Sequence, residues 1–189
     1  MTRWLVLHAK SRLVPASAAA VVVGVAGLAA LAPPHGSPQL AAFGAAIGVA
    51  AVATGLGAHD PALDRTAAFG WPPRRAAHLL LGGTFVAALL LAAGRVADPI
   101  ATDAFLLRDV VGLGGLVALG ALLFGPRAAW ALPVGWTGAT LVVPPGDEHW
   151  LSRLLTWPVQ PTGTTSATVT AVVLGCTGLL AYSWFGCRR

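Results

Sequence analysis

Charge is the scarcest property of this chain. Lys, Arg, Asp and Glu make up 10% of its 189 residues, against about 25% in an ordinary soluble domain. A water-facing surface cannot be built from so few charges, so a soluble globule is excluded. Cysteine is nearly absent too, with Cys176 inside an apolar run and Cys187 near the end of the chain. That spacing is no metal motif, and their different positions relative to the apolar runs argue against a disulfide. Also missing are GxxxxGK[ST], HExxH, a paired CxxC and GxSxG, which leaves no intrinsic ATPase, zinc hydrolase or serine hydrolase to expect. The chain is read as no enzyme, with no catalytic residue, no cofactor and no metal.

What fills the sequence instead is Ala, Gly, Val and Leu, with 56% hydrophobic residues and a mean hydropathy of +0.74. A membrane-spanning helix needs roughly 20 mostly apolar residues to cross about 30 Å of hydrocarbon. With charges and Pro/Gly clusters as punctuation, six spans are expected, at about 13–32, 39–58, 77–94, 109–125, 128–144 and 167–186. The fold class is therefore all-α, a polytopic membrane protein with six transmembrane helices in a single domain over residues 1–189. The fourth and fifth spans are short and separated only by Gly125-Pro126-Arg127, which predicts a tight helical hairpin. A cleavable signal is the rival reading of the first span, since Lys10 and Arg12 precede an apolar run ending in Ala30-Leu31-Ala32. That run exceeds the roughly 7–15 residues of a signal core, which favours a span.

The net charge of +5 does not point to nucleic acid, because the arginines flank apolar runs rather than sharing a polar face. It reads as topology. Positive charge is retained on the cytoplasmic side, and placing the N-terminus inside puts Arg3, Lys10, Arg12, Arg65, Arg74, Arg75, Arg127, Arg188 and Arg189 there. Only Arg95, Arg108 and Arg153 are left outside. Both termini are then cytoplasmic, and the protein is expected in the cell membrane as a multi-pass chain.

Few polar groups fall inside the spans. Thr54, Thr84, Thr137, Thr140, Thr170 and Thr177 are expected to bond their own helix backbones. The list holds no carboxylate relay for a proton-coupled carrier and no polar ring for a channel. Small residues recur at close spacing, as in Gly44 and Gly48, in Gly112, Gly115 and Gly120, and in Gly175 and Gly178; these are read as packing positions that let helices approach. His78 is read as an interfacial histidine, and Asp147-Glu148-His149 as too linear to converge on a cation.

Three segments stand out between the spans. MTRWLVLHAKSR suits a short helix lying in the inner interface. In DPALDRTAAFGWPPRRAAH, Asp60 is a good N-cap and Pro61 a good first helical residue, predicting a short helix through Phe69 that Gly70 stops. This loop, 59–76, is cytoplasmic. It displays Leu63, Asp64, Arg65 and Phe69 as partner-docking residues, while Trp71, Arg74 and Arg75 anchor it at the interface. The external segment 145–166 contains HWLSRLLTWPVQP, where Trp150, Leu151, Leu154, Leu155 and Trp157 suit one face of a short helix and Ser152 and Arg153 the other. It should lie against or dip into the outer interface.

An N-terminal elbow, a helix in the first cytoplasmic loop and an amphipathic insertion before the last span occur in that order. In this the chain resembles the permease subunits of ABC transporters, of the short six-span exporter kind, and looks like compact actinobacterial proteins of that type. The resemblance implies a coupling role for loop 59–76 and a cytoplasmic ATP-binding subunit as partner. It also implies a homodimer, or a heterodimer with a sister permease, and an amphiphilic substrate. A non-transporting membrane scaffold that docks a cytoplasmic partner through the same loop is the alternative.

Overall fold

The computed structural model describes residues 14–31, 36–56, 71–96, 99–143 and 149–187. They form α1 (Val14–Leu31), α2 (Pro38–Ala53), α3 (Trp71–Val96), α4 (Asp103–Phe124), α5 (Ala131–Ala139), α6 (Trp150–Leu155), a 3-10 turn at Trp157–Val159, and α7 (Thr165–Phe185). The fold among the described residues is all-helical. Three stretches, Pro72–Val96, Asp103–Phe124 and Thr165–Phe185, are long and apolar enough to cross a membrane. Pro15–Leu28 and Pro38–Ala53 are apolar but shorter.

Local chemistry sets the helix ends. Ser37 caps α2, its hydroxyl accepting from the Leu40 N–H at 3.3 Å, and Pro38 sits where its missing N–H costs nothing. Thr102 caps α4 in the same way through the Phe105 N–H at 3.4 Å, with Asp103 against the positive end of the helix dipole. Gly125, at φ +83°, ends α4 in a backbone conformation that a side chain would strain.

Several boundaries differ from expectation. Trp71, Pro72 and Pro73 do not break the chain but form the first turn of α3, where four N–H groups lack intrahelical partners in any case. Arg74 and Arg75 are therefore helical, and the undescribed connection before α3 is correspondingly shorter than 59–76. The fifth expected span is helical only over the nine residues of α5, about 14 Å at 1.5 Å per residue. Pro133, Gly135 and Gly138 fall within those nine residues, and turns occupy both ends.

Side-chain contacts give the helix directions. Gly24 faces Ile47 and Gly44 packs on Leu28, so α1 and α2 run antiparallel. Gly48 meets Val86 and Gly82 meets Val52, which makes α3 antiparallel to α2. Gly112 lies against Ala171, while Gly115 lies against Leu174 and Gly178, so α4 and α7 run parallel. As a result α1 starts at the same end of the bundle where α2 finishes, α3 starts and α7 finishes.

The helix α4 occupies the centre, packed by α2, α3, α5 and α7. Its Leu113, Leu116, Val117 and Ala118 are buried with Val49 of α2 and Val86 of α3. The expected packing glycines all serve this way. A methyl at Gly115 or Gly178 would run into the backbone of the facing helix, and one at Gly112 into the Trp157 ring. The exterior stays apolar, with Val23, Leu81, Val142 and Phe185 among its most exposed side chains.

Candidate functional site

At one end of the bundle the structure places a buried ion pair where sequence punctuation put the edge of a span. The capped start of α4 carries the helix back to Asp103, so Arg108 sits inside it rather than before it, and Asp109 lies in its second turn rather than at its first residue. The Arg108 Nε and Nη2 donate to Asp109 Oδ1 at 3.0 and 2.9 Å. Its Nη2 also donates to the Pro158 carbonyl at 3.2 Å, and its Nη1 to those of Gln160 at 2.9 Å and Pro161 at 3.3 Å. A guanidinium has five N–H donors, and all are used. The Phe105 ring lies beneath, 4.7 Å from its centroid to Arg108 Cζ.

This clasp ties the segment before α7 to the bundle. Trp157 is fully buried against Gly112. The Gln160 side-chain amide donates to the Arg153 carbonyl at 2.8 Å and to the Thr156 hydroxyl at 3.1 Å. From α5, the Trp136 indole N–H donates to the Leu155 carbonyl at 3.1 Å. Four buried polar atoms, Asp109 Oδ2, Trp157 Nε1, Gln160 Oε1 and Ser152 Oγ, have no hydrogen-bond partner among the described residues.

The expected amphipathic face of this segment is corrected. Ser152 and Thr156 face inward, whereas Trp150, Leu151 and Leu154 face outward. The segment does not merely rest on the surface, because Trp157 and Arg108 hold it within the bundle. The expected threonine bonds do form at Thr54, Thr137, Thr140, Thr170 and Thr177, each to a carbonyl three or four residues earlier.

A second feature is a cavity of about 340 Å³ between α3, α4 and α7, open along one side. Leu79 and Ala87 of α3, Val110 and Val111 of α4, and Leu179 of α7 supply its walls, with Thr84 and Cys176 as the polar side chains. Gly83 and Gly114 leave room there, since a methyl on either would meet nothing closer than 3.9 Å.

The opposite end carries Arg74 and Arg75 in the first turns of α3, and Arg127 after α4. Both acids among the described residues, Asp103 and Asp109, lie at the Arg108 end. At the Arg75 end the Tyr182 hydroxyl of α7 donates to the Leu56 carbonyl at 2.9 Å, joined by Cys187 Sγ at 3.3 Å, so the last helix closes on the chain leaving α2. The docking residues Leu63, Asp64, Arg65 and Phe69 lie outside the described residues, as do the N-terminal elbow and Asp147-Glu148.

Sequence reasoning missed Arg108, Asp109 and Gln160 because charges were used to end spans. The available signal was Thr102-Asp103, an N-cap followed by an acid, which starts the helix six residues before Asp109. No protein-family model, curated protein or solved structure matches this chain.

Proposed function

We propose that the chain is a multi-pass cell-membrane protein, with its Arg75 end cytoplasmic, that serves as a permease subunit of an ATP-driven ABC-type exporter. Its exterior of exposed leucine, valine and phenylalanine suits hydrocarbon. The arginine-rich, acid-poor end suits the cytoplasmic face. The same setting accounts for α6, whose Trp150, Leu151 and Leu154 turn outward.

One observation carries the transport role. The segment before the last helix folds back into the bundle at the Arg108 end, while the α2–α3 connection emerges at the other. Coupling loop and outer insertion then lie on opposite faces, in the order the exporter resemblance calls for. In this scheme two copies, or one copy with a sister permease, bind two ATP-binding subunits. Their closure on ATP pushes the loop containing Leu63, Asp64, Arg65 and Phe69 and shifts the bundle between inward-open and outward-open states. Apolar walls suit an amphiphilic substrate.

Affinity purification of the tagged full chain in mild detergent, followed by mass spectrometry, tests this. A cytoplasmic ATPase subunit should co-purify at stoichiometry, and the double change Asp64→Ala/Arg65→Ala should release it while insertion is unchanged. Recovery without such a subunit would sink the transport role. A membrane scaffold is the second reading, favoured by the Arg108 clasp, which commits every donor to one arrangement. Its signature is a different soluble partner lost with the same double change.

A further inference from the structure

We propose that the cavity between α3, α4 and α7 holds an acyl chain of an anionic phospholipid whose phosphate sits on Arg75. The assignment needs the bilayer placement above but no ATP-binding partner.

The geometry begins with α3. Arg75, Leu79, Gly83 and Ala87 are spaced by four, so they share one row along the helix, and the last three line the cavity. Arg75 and Arg95 are twenty residues apart on this helix, about 30 Å along its axis, which matches the hydrocarbon thickness. Arg75 then stands at one headgroup boundary, and the row from Arg75 to Ala87 runs about 18 Å, against roughly 15 Å for one leaflet. A lipid with its phosphate at Arg75 lays its tail along the cavity wall.

Charge supplies the choice of lipid. The Arg75 guanidinium packs over Gly186 at the end of α7, where a methyl on that glycine would come within 2.7 Å of its Cζ. It borders the negative end of the α7 dipole, yet no acid among the described residues lies at that end of the bundle. A phosphate diester carries a negative charge and accepts from a planar fork of donors. The cavity volume falls within the range of small-molecule sites, and its side opening admits a tail directly from the bilayer.

The test uses the full chain in detergent. Native mass spectrometry with added phosphatidylglycerol or phosphatidylcholine should show one phosphatidylglycerol held more tightly than phosphatidylcholine. Arg75→Gln should weaken it about fivefold, as expected for one cation at an anionic lipid surface, and Arg75→Lys should restore most of that. A side chain built at Gly114 meets nothing within 4 Å, so Gly114→Leu fills the cavity and should remove this lipid. On the unmutated chain, phosphatidylglycerol should slow alkylation of Cys176, which lines the cavity, several-fold more than phosphatidylcholine does. Equal binding of the two lipids, or unchanged Cys176 alkylation, would overturn the assignment. So would a Gly114→Leu chain that keeps its lipid but changes from dimer to monomer, which would make the groove a contact between copies.

Discussion

The Arg108 Nη1 donates to the Gln160 carbonyl at 2.9 Å across 52 residues of sequence, and both groups are buried. The bond joins the start of the central helix to the segment entering the last one. Because Arg108 also compensates Asp109, one side chain holds both a charge balance and a chain crossing.

Removing Arg108 alone should therefore be costly. Arg108→Met leaves the Asp109 carboxylate buried without its counter-charge, a loss of about 3–5 kcal/mol for a pair of this kind. Arg108→Met with Asp109→Leu should recover much of it, because two apolar side chains carry no desolvation cost. Unfolding of the purified variants in graded SDS checks this; a double variant no better than the single one would contradict the charge explanation.

The Arg95–Asp103 pair is the contrasting case. It is shorter, at 2.6 Å, but its side chains are 69% and 50% exposed. Solvent screening should keep Arg95→Ala below about 1 kcal/mol in the same assay, although the distance alone suggests the opposite order.

Close approach of α4 and α7 predicts another asymmetry. Gly115→Ala puts a methyl against the Leu174 carbonyl, which is backbone and cannot rotate away, so a loss of about 1–3 kcal/mol is expected. At Gly27, where a methyl meets nothing within 4 Å, the same substitution should stabilise by about 0.5–1 kcal/mol through helix propensity. Thermal unfolding midpoints in detergent should move in opposite directions.

The bond from the Tyr182 hydroxyl to Leu56 should contribute about 0.5–1.5 kcal/mol. Tyr182→Phe keeps the ring packing, and Cys187 still reaches the same carbonyl, so the loss should sit at the low end. Adding Cys187→Ala should cost more than the sum of the two single changes, read by SDS unfolding as a double-mutant cycle.

Sidedness can be checked directly in a chain whose own cysteines are replaced. Gly163→Cys, at an exposed turn of the Arg108 end, should react with a membrane-impermeant maleimide in whole cells. Arg127→Cys, exposed at the other end, should react only after permeabilisation. Labelling of both from one side would refute the proposed alternation.

Much of the architecture was readable from local pattern. Composition alone selected an apolar helical bundle, because apolar runs of spanning length interrupted by Pro, Gly and Arg have few other uses. The glycines at Gly44, Gly48, Gly112, Gly115, Gly175 and Gly178 were legible as packing positions, since a missing side chain matters chiefly where another backbone approaches. The threonine bonds were legible too, being formed within a single turn. Tertiary structure alone decided the rest. Arg108 and Asp109 look like charges at the edge of a span until carbonyls some 50 residues away accept from Arg108, which in turn compensates Asp109. Ser152 and Trp157 leave their expected environments because Trp157 packs on Gly112 and the carbonyls that follow it accept from Arg108, which draws the segment into the bundle. The cavity exists only where α3, α4 and α7, distant in sequence, come together. Local sequence encodes hydrophobicity, caps and helix period, whereas compensation of a buried charge and the space between helices depend on which distant residues arrive at the same place.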